Sequence, residues 1–130
     1  MVGAYLREYL PVFPADALVA SIPLHPERRR MRGFNQSELI ANHVSAALGM
    51  QMNSNLIMKV RKTHPQVGLP AFTRRDNIAG SFIVSEPALT AGKTIILLDD
   101  VKTTGATIEE AAHMLKKAGA RRIIAVTVAH

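Results

Sequence analysis

Asp99 and Asp100 stand side by side at the end of an apolar run, and Thr103, Thr104, Gly105, Ala106 and Thr107 follow at the head of an amphipathic segment. Those residue types at that spacing have a chemical use. In parallel α/β sheets ligands gather at the carboxyl ends of strands, the place these aspartates would occupy. A hydroxyl-rich turn at a helix start offers backbone N–H groups to a phosphate dianion at the positive end of the helix dipole. Gly105 lets the backbone approach that anion with no side chain in the way. Two carboxylates about one sugar's width from the phosphate would accept hydrogen bonds from vicinal hydroxyls, so the constellation suits both ends of a ribose 5-phosphate group.

Other uses of the same residues have to be weighed. Paired aspartates at a strand end also hold magnesium in Walker B motifs and in receiver-type acidic pockets. A Walker B needs a Walker A, and Gly92-Lys93-Thr94 resembles its tail. Position 87, where the leading glycine belongs, is Pro87, and the triplet precedes a strand instead of opening a helix. The bland alternative is a capped helix with two solvated aspartates.

The elements that must position these residues are clearest in the last third. Ile95, Ile96, Leu97 and Leu98 form an unbroken apolar run between Thr94 and Asp99, the pattern of a parallel strand covered on both faces. After a loop over 101–107, Ile108, Ala111, Ala112, Leu115 and Ala118 recur at helical intervals, with Glu109 and Glu110 in the first turn, Lys116 and Lys117 in the last and Gly119 as the stop. The apolar stretch 123–128 completes a strand, helix, strand unit that should be parallel and right-handed. Further back, the spacing of Leu39, Ile40, Val44, Ala47 and Leu48 predicts a helix over 36–48 ended by Gly49. The runs 17–24, 56–60 and 82–84 read as strands. Tyr5, Leu6, Tyr9 and Leu10 suit a short helix that Pro11 and Pro14 end. The stretch 61–80 is polar, contains Pro65 and Pro70 and has no period, so it reads as a long functional loop.

With 130 residues, 48% of them hydrophobic, the chain suits one compact α/β domain. No stretch approaches the ~20 apolar residues needed to cross a bilayer, and the first residues lack a signal peptide's apolar core, so the reading is an unexported, cytoplasmic protein without membrane insertion. Cysteine is absent, which excludes disulfides, thiolate zinc sites and a cysteine nucleophile. The five histidines show no tight ligand spacing, so no zinc is expected. A formal net charge of +6 is concentrated at Arg28, Arg29, Arg30 and Arg32, at Arg61 and Lys62, at Arg74 and Arg75, and at Arg121 and Arg122. Such a field attracts polyanions, whether a phosphorylated metabolite or a nucleic acid.

The run from Ile95 to Thr107, IILLDDVKTTGAT, resembles the phosphoribosyl pyrophosphate signature of the type I phosphoribosyltransferases. Ile22-Pro-Leu-His-Pro26, Arg32-Gly-Phe-Asn-Gln36 with Glu38, Thr63 with Gln66 and Leu69, and Arg75, Asn77, Gly80 and Phe82 resemble more narrowly the ComF family of competence and amidophosphoribosyltransferase-like proteins. Two features depart from that pattern: Lys102 stands where an aromatic or hydrophobic residue is common, and the cysteine-rich zinc-binding segment of many ComF relatives has no counterpart here.

The resemblance implies a type I phosphoribosyltransferase-like fold: a mostly parallel central sheet flanked by helices, a small hood from residues 1–16, a core from about 17 to 130, and a flexible loop over 61–80. It implies that Asp99 and Asp100 are the catalytic acids, that Thr103 to Thr107 hold the 5-phosphate, and that the loop 24–33 meets pyrophosphate through His25, Arg28, Arg30 and Arg32. Arginine forks suit such a leaving group, although alternate arginines cannot all face one cleft. Gln66, Arg74 and Arg75 would be contacts of a lid that excludes water. Magnesium would arrive on the substrate, and the reaction would transfer the phosphoribosyl group to a nitrogen acceptor. The ComF likeness also suggests a second class: a non-catalytic module of DNA uptake acting through a partner protein or single-stranded DNA, the latter weakened by the scarcity of aromatic residues. A sensor regulator would need a DNA-reading helix-turn-helix, and the sequence shows none. The resemblance also suggests a homodimer.

Overall fold

The computed structural model describes residue 14 and residues 16–60, 80–99 and 106–127. Three of the apolar runs join a two-residue strand in a sheet of four parallel strands, in the order β2, β1, β5, β6. These are β1 (Leu18–Ser21), β2 (Gln51–Met52), β5 (Thr94–Asp99) and β6 (Arg122–Thr127). Helix α2 (Gln36–Leu48) connects β1 to β2, and helix α4 (Ala106–Lys117) connects β5 to β6. Between these units lie strands β3 (Ile57–Lys59) and β4 (Phe82–Val84), paired antiparallel as a sheet of their own, and a one-turn helix α3 (Pro87–Thr90). Neither β2 nor α3 is expected from the sequence, and the run 17–24 yields a strand of four residues that ends before Pro23.

Burial of both faces explains why β1 and β5 are apolar except at Ser21, Thr94 and Asp99. Leu18, Ala20, Ile95 and Leu97 face α4 and the β3–β4 pair, packing with Leu56, Ile57, Phe82, Ala111 and Leu115. Val19, Ile96 and Leu98 face the other way and pack with Ala41, Val44 and Met50 of the α2 side. Two cores thus sandwich one sheet, and every residue of β5 is buried. Burial of this kind removes about 25 cal/mol of unfavourable hydration per Å2 of apolar surface.

The ends of α2 follow from local chemistry. The Asn35 side chain accepts a hydrogen bond from the Ser37 N–H at 3.0 Å, capping the start. At the other end Gly49 adopts φ 66°, the left-handed conformation that closes a helix. A Cβ there would meet no atom within 4 Å, so Gly49→Ala should cost about 1–2 kcal/mol through backbone conformation alone. Urea denaturation would measure it, with an unchanged slope marking an unchanged fold.

One segment expected as a loop is in fact helical. Residues Pro26–Arg32 form α1, with Pro26 in the first turn, the His25 ring as cap and Gly33 in the left-handed conformation at the end. The helix buries none of its residues, so no apolar stripe in the sequence could announce it. Its caps and its proline define it instead.

Candidate functional site

The order of strands locates a crevice. From β1 the chain passes over one face of the sheet through α2, whereas α4, which follows β5, packs on the opposite face. The neighbouring carboxyl ends of β1 and β5 therefore form a topological switch point, where open α/β sheets bind ligands. Ser21 pairs with Leu98 there, the Ile22 N–H donates to the Leu98 carbonyl at 2.9 Å, and Asp99 is the next residue on β5.

Asp99 is buried, and its Oδ1 accepts a hydrogen bond from Ser37 Oγ at 3.1 Å. Ser37 is held in turn by Asn35, whose Nδ2 donates to the Ile22 carbonyl at 3.1 Å while its Oδ1 caps α2. A chain of hydrogen bonds thus ties the end of β1, the start of α2 and the carboxylate of β5 into one unit. Thr107 lies in the first turn of α4, so the turn expected over 101–107 gives way to helix at Ala106. Asp100, Thr103, Thr104 and Gly105 lie outside the described residues, as do the lid candidates Gln66, Arg74 and Arg75 and the side chain of Ala106.

The helical form of α1 sorts the basic candidates. Arg28 and Arg32, four residues apart, share a face and line a recess of about 380 Å3 with Leu24 and Met31. Arg30 lies roughly 200° around the helix from Arg28 and does not join them. His25 Nδ1 accepts from the Glu27 N–H at 3.2 Å, which puts the proton of a neutral ring on Nε2. Arg29, the remaining member of the cluster, forms an ion pair with Glu38 of α2 through Nη1 and Oε2.

A second cleft, of about 360 Å3, opens between α1, the start of α2 and β3, with Arg29, Asn35 and Glu38 on one side and Ser54, Asn55 and Lys59 on the other. The Lys59 ammonium is held down to a pKa of about 8, first by burial and second by the charge of Arg28. Among the described residues no three His, Asp or Glu side chains gather as a metal cage. No helix among them is long and apolar enough to cross a membrane.

A family model described as phosphoribosyl transferase domain matches residues 35–130. The chain belongs to the phosphoribosyl transferase domain family. Among similar proteins are DNA utilization protein YhgH of Escherichia coli (strain K12), 35% identical over 105 residues that make up 81% of this chain and 45% of that protein, and competence protein F of Haemophilus influenzae, 34% identical over 107 residues, 81% of this chain and 46% of that protein. The chain spans about half the length of the curated relatives it matches. Among solved structures, the B. subtilis glutamine phosphoribosylpyrophosphate amidotransferase complexed with ADP and GMP superposes with a TM-score of 0.62 at 18% identity, covering 98% of this chain and 25% of that one. Adenine phosphoribosyltransferase from Saccharomyces cerevisiae gives 0.61 at 18% identity, covering 98% of this chain and 63% of that one. At such identities the likeness establishes the fold, which is that of the type I phosphoribosyltransferases.

Within this phosphoribosyltransferase domain three polar residues have contacts that the sequence does not announce. Ser37 looks like an ordinary helix residue, and its reach to Asp99 spans 62 positions. Glu38 stands three residues after the cap, the place of a capping-box acid, yet it pairs with Arg29. Lys59 is a single cation at the end of a three-residue strand, with no motif around it.

Proposed function

We propose that this chain binds 5-phosphoribosyl 1-pyrophosphate and transfers its phosphoribosyl group to a nitrogen acceptor with release of pyrophosphate. The observation that carries the reading is Asp99: a buried carboxylate at the switch point, held by Ser37, four positions ahead of the start of the Thr-Thr-Gly-Ala-Thr run. In the reaction the bond from C1 of the ribose to pyrophosphate oxygen breaks and a bond from C1 to nitrogen forms. Asp99 and Asp100 orient the ribose through its hydroxyls, and the 103–107 hydroxyls and amides hold the 5-phosphate. Arg28 and Arg32, sharing one face of α1, meet the charge that builds on the leaving group. Aspartate oxygens are hard donors that suit magnesium, which when bound with the substrate supplies positive charge against the pyrophosphate.

The test is a titration of the protein with the nucleotide sugar and magnesium, followed by assay of pyrophosphate release with candidate amines and bases. Saturable binding with release only when an acceptor is present is the expected result. Absence of binding at millimolar ligand would sink the proposal.

The names of the relatives favour a second reading, a non-catalytic protein of DNA uptake. Its structural support is the exposure of Arg30, Met31 and Arg32 at the end of α1 and of Phe34 in the turn after it. Strong single-stranded DNA binding with steep salt dependence, indifferent to the nucleotide sugar, would favour this reading over the first.

A further inference from the structure

Lys59 ends β3 and stands across the 360 Å3 cleft from Arg29, Asn35 and Glu38. Its ammonium lies 5.9 Å from the centroid of the Phe82 ring, a fully buried side chain paired with it across the two-stranded sheet. The ring supports the cation from beneath and limits where its stem can point. Helix α1 lends Pro26 and Arg29 to the facing wall, and the half-buried Arg28 of the same helix, which lines the neighbouring recess, acts on Lys59 electrostatically. Two cations held toward one another raise each other's energy until negative charge comes between them. Glu38, the carboxylate lining this cleft, is engaged by Arg29. A small polyanion is the chemistry that such a pair of walls fits.

We propose that Lys59 is a pyrophosphate-binding residue, meeting the leaving group from β3 while Arg28 meets it from α1; this rests on the phosphoribosyl-transfer reading above. The arrangement carries its own signature. With a pKa near 8, about half of the Lys59 side chains are neutral at pH 8. An anion between the two cations restores the full ammonium, so binding takes up a proton and weakens as pH rises past 8. Of the charged groups that line this cleft with Lys59, Arg29 and Glu38 are paired with each other, which leaves Lys59 as the group that responds.

The experiment is calorimetric titration of the whole chain with magnesium pyrophosphate at pH 8, in buffers of different ionisation enthalpy, for the wild type, Lys59→Met and Lys59→Arg. The wild type should take up about half a proton more than Lys59→Arg, whose charge is permanent. Lys59→Met should raise Kd about tenfold or more. The same variant should melt higher at pH 7. The folded pKa of about 8 lies below the unfolded 10.5, so between those values the unfolded chain holds more protons, stability rises with pH, and below pH 8 the full charge of Lys59 opposes folding. Weaker binding joined to a higher melting temperature is not the behaviour of a lysine with a purely structural role. If the wild type binds pyrophosphate and Lys59→Met binds it equally with the same proton count, the role of Lys59 is refuted and the phosphoribosyl reading stands. If the wild type binds no pyrophosphate, that reading falls and takes this inference with it.

Discussion

Truncation of Phe82 to alanine should destabilise the protein by about 3–5 kcal/mol, seen as a lower denaturation midpoint. Among the described residues Phe82 is the largest fully buried side chain, and it belongs to the core on the α4 face of the sheet. The β3–β4 pair is two strands of three residues, too small to be stable unaided, so its attachment depends on what it buries. Leu56, Ile57 and Phe82 are those buried groups. Phe82→Leu, which keeps most of the volume, should cost about 1.5 kcal/mol or less. A loss below about 1 kcal/mol for the alanine variant would mean that the pair is not anchored through this ring.

The second large effect is on binding. Asp99→Asn combined with Asp100→Asn should weaken nucleotide-sugar binding by about a hundredfold or more, because a neutral amide forfeits the charge-assisted hydrogen bonds to the ribose. The fold should survive at position 99. Asparagine keeps an oxygen that can accept from Ser37 Oγ, so the tie between α2 and β5 persists and the melting temperature moves little. Equal binding by wild type and double variant would assign the affinity to nonspecific attraction by the arginines. Calorimetry and a thermal melt on the same preparations separate the two cases.

What could be read from the sequence, and what could not, divides by the range of the forces involved. Helix α2 runs over Gln36–Leu48 and β5 over Thr94–Asp99, as the apolar spacing and the stop at Gly49 predict, because those signals are local. Strand β2 is two residues long and exists through its pairing with Leu18 and Val19, more than thirty positions away, so no local pattern marks it. Strands β3 and β4 are evident as apolar runs, but their departure into a separate antiparallel pair is decided by packing against α4. The site divides in the same way. Asp99 announces itself by standing at the end of an apolar run. Ser37, Arg29 and Lys59 become meaningful through neighbours that the chain brings in from other elements.

The antiparallel pair has an engineering consequence. Lys59 lies opposite Phe82, the Val60 N–H donates to the Ser81 carbonyl at 2.7 Å, and the Gly80 N–H donates to Glu110 Oε2 of α4 at 3.2 Å. Both ends of the 61–79 stretch are therefore clipped to the scaffold at neighbouring points, like the two posts of a socket. The loop-closure entropy of a chain segment held between two fixed points rises by only about 0.6 kcal/mol each time its length doubles. Insertions of differing length between Val60 and Gly80 should therefore leave the β3–β4 register, and with it the seat of Lys59, as it is.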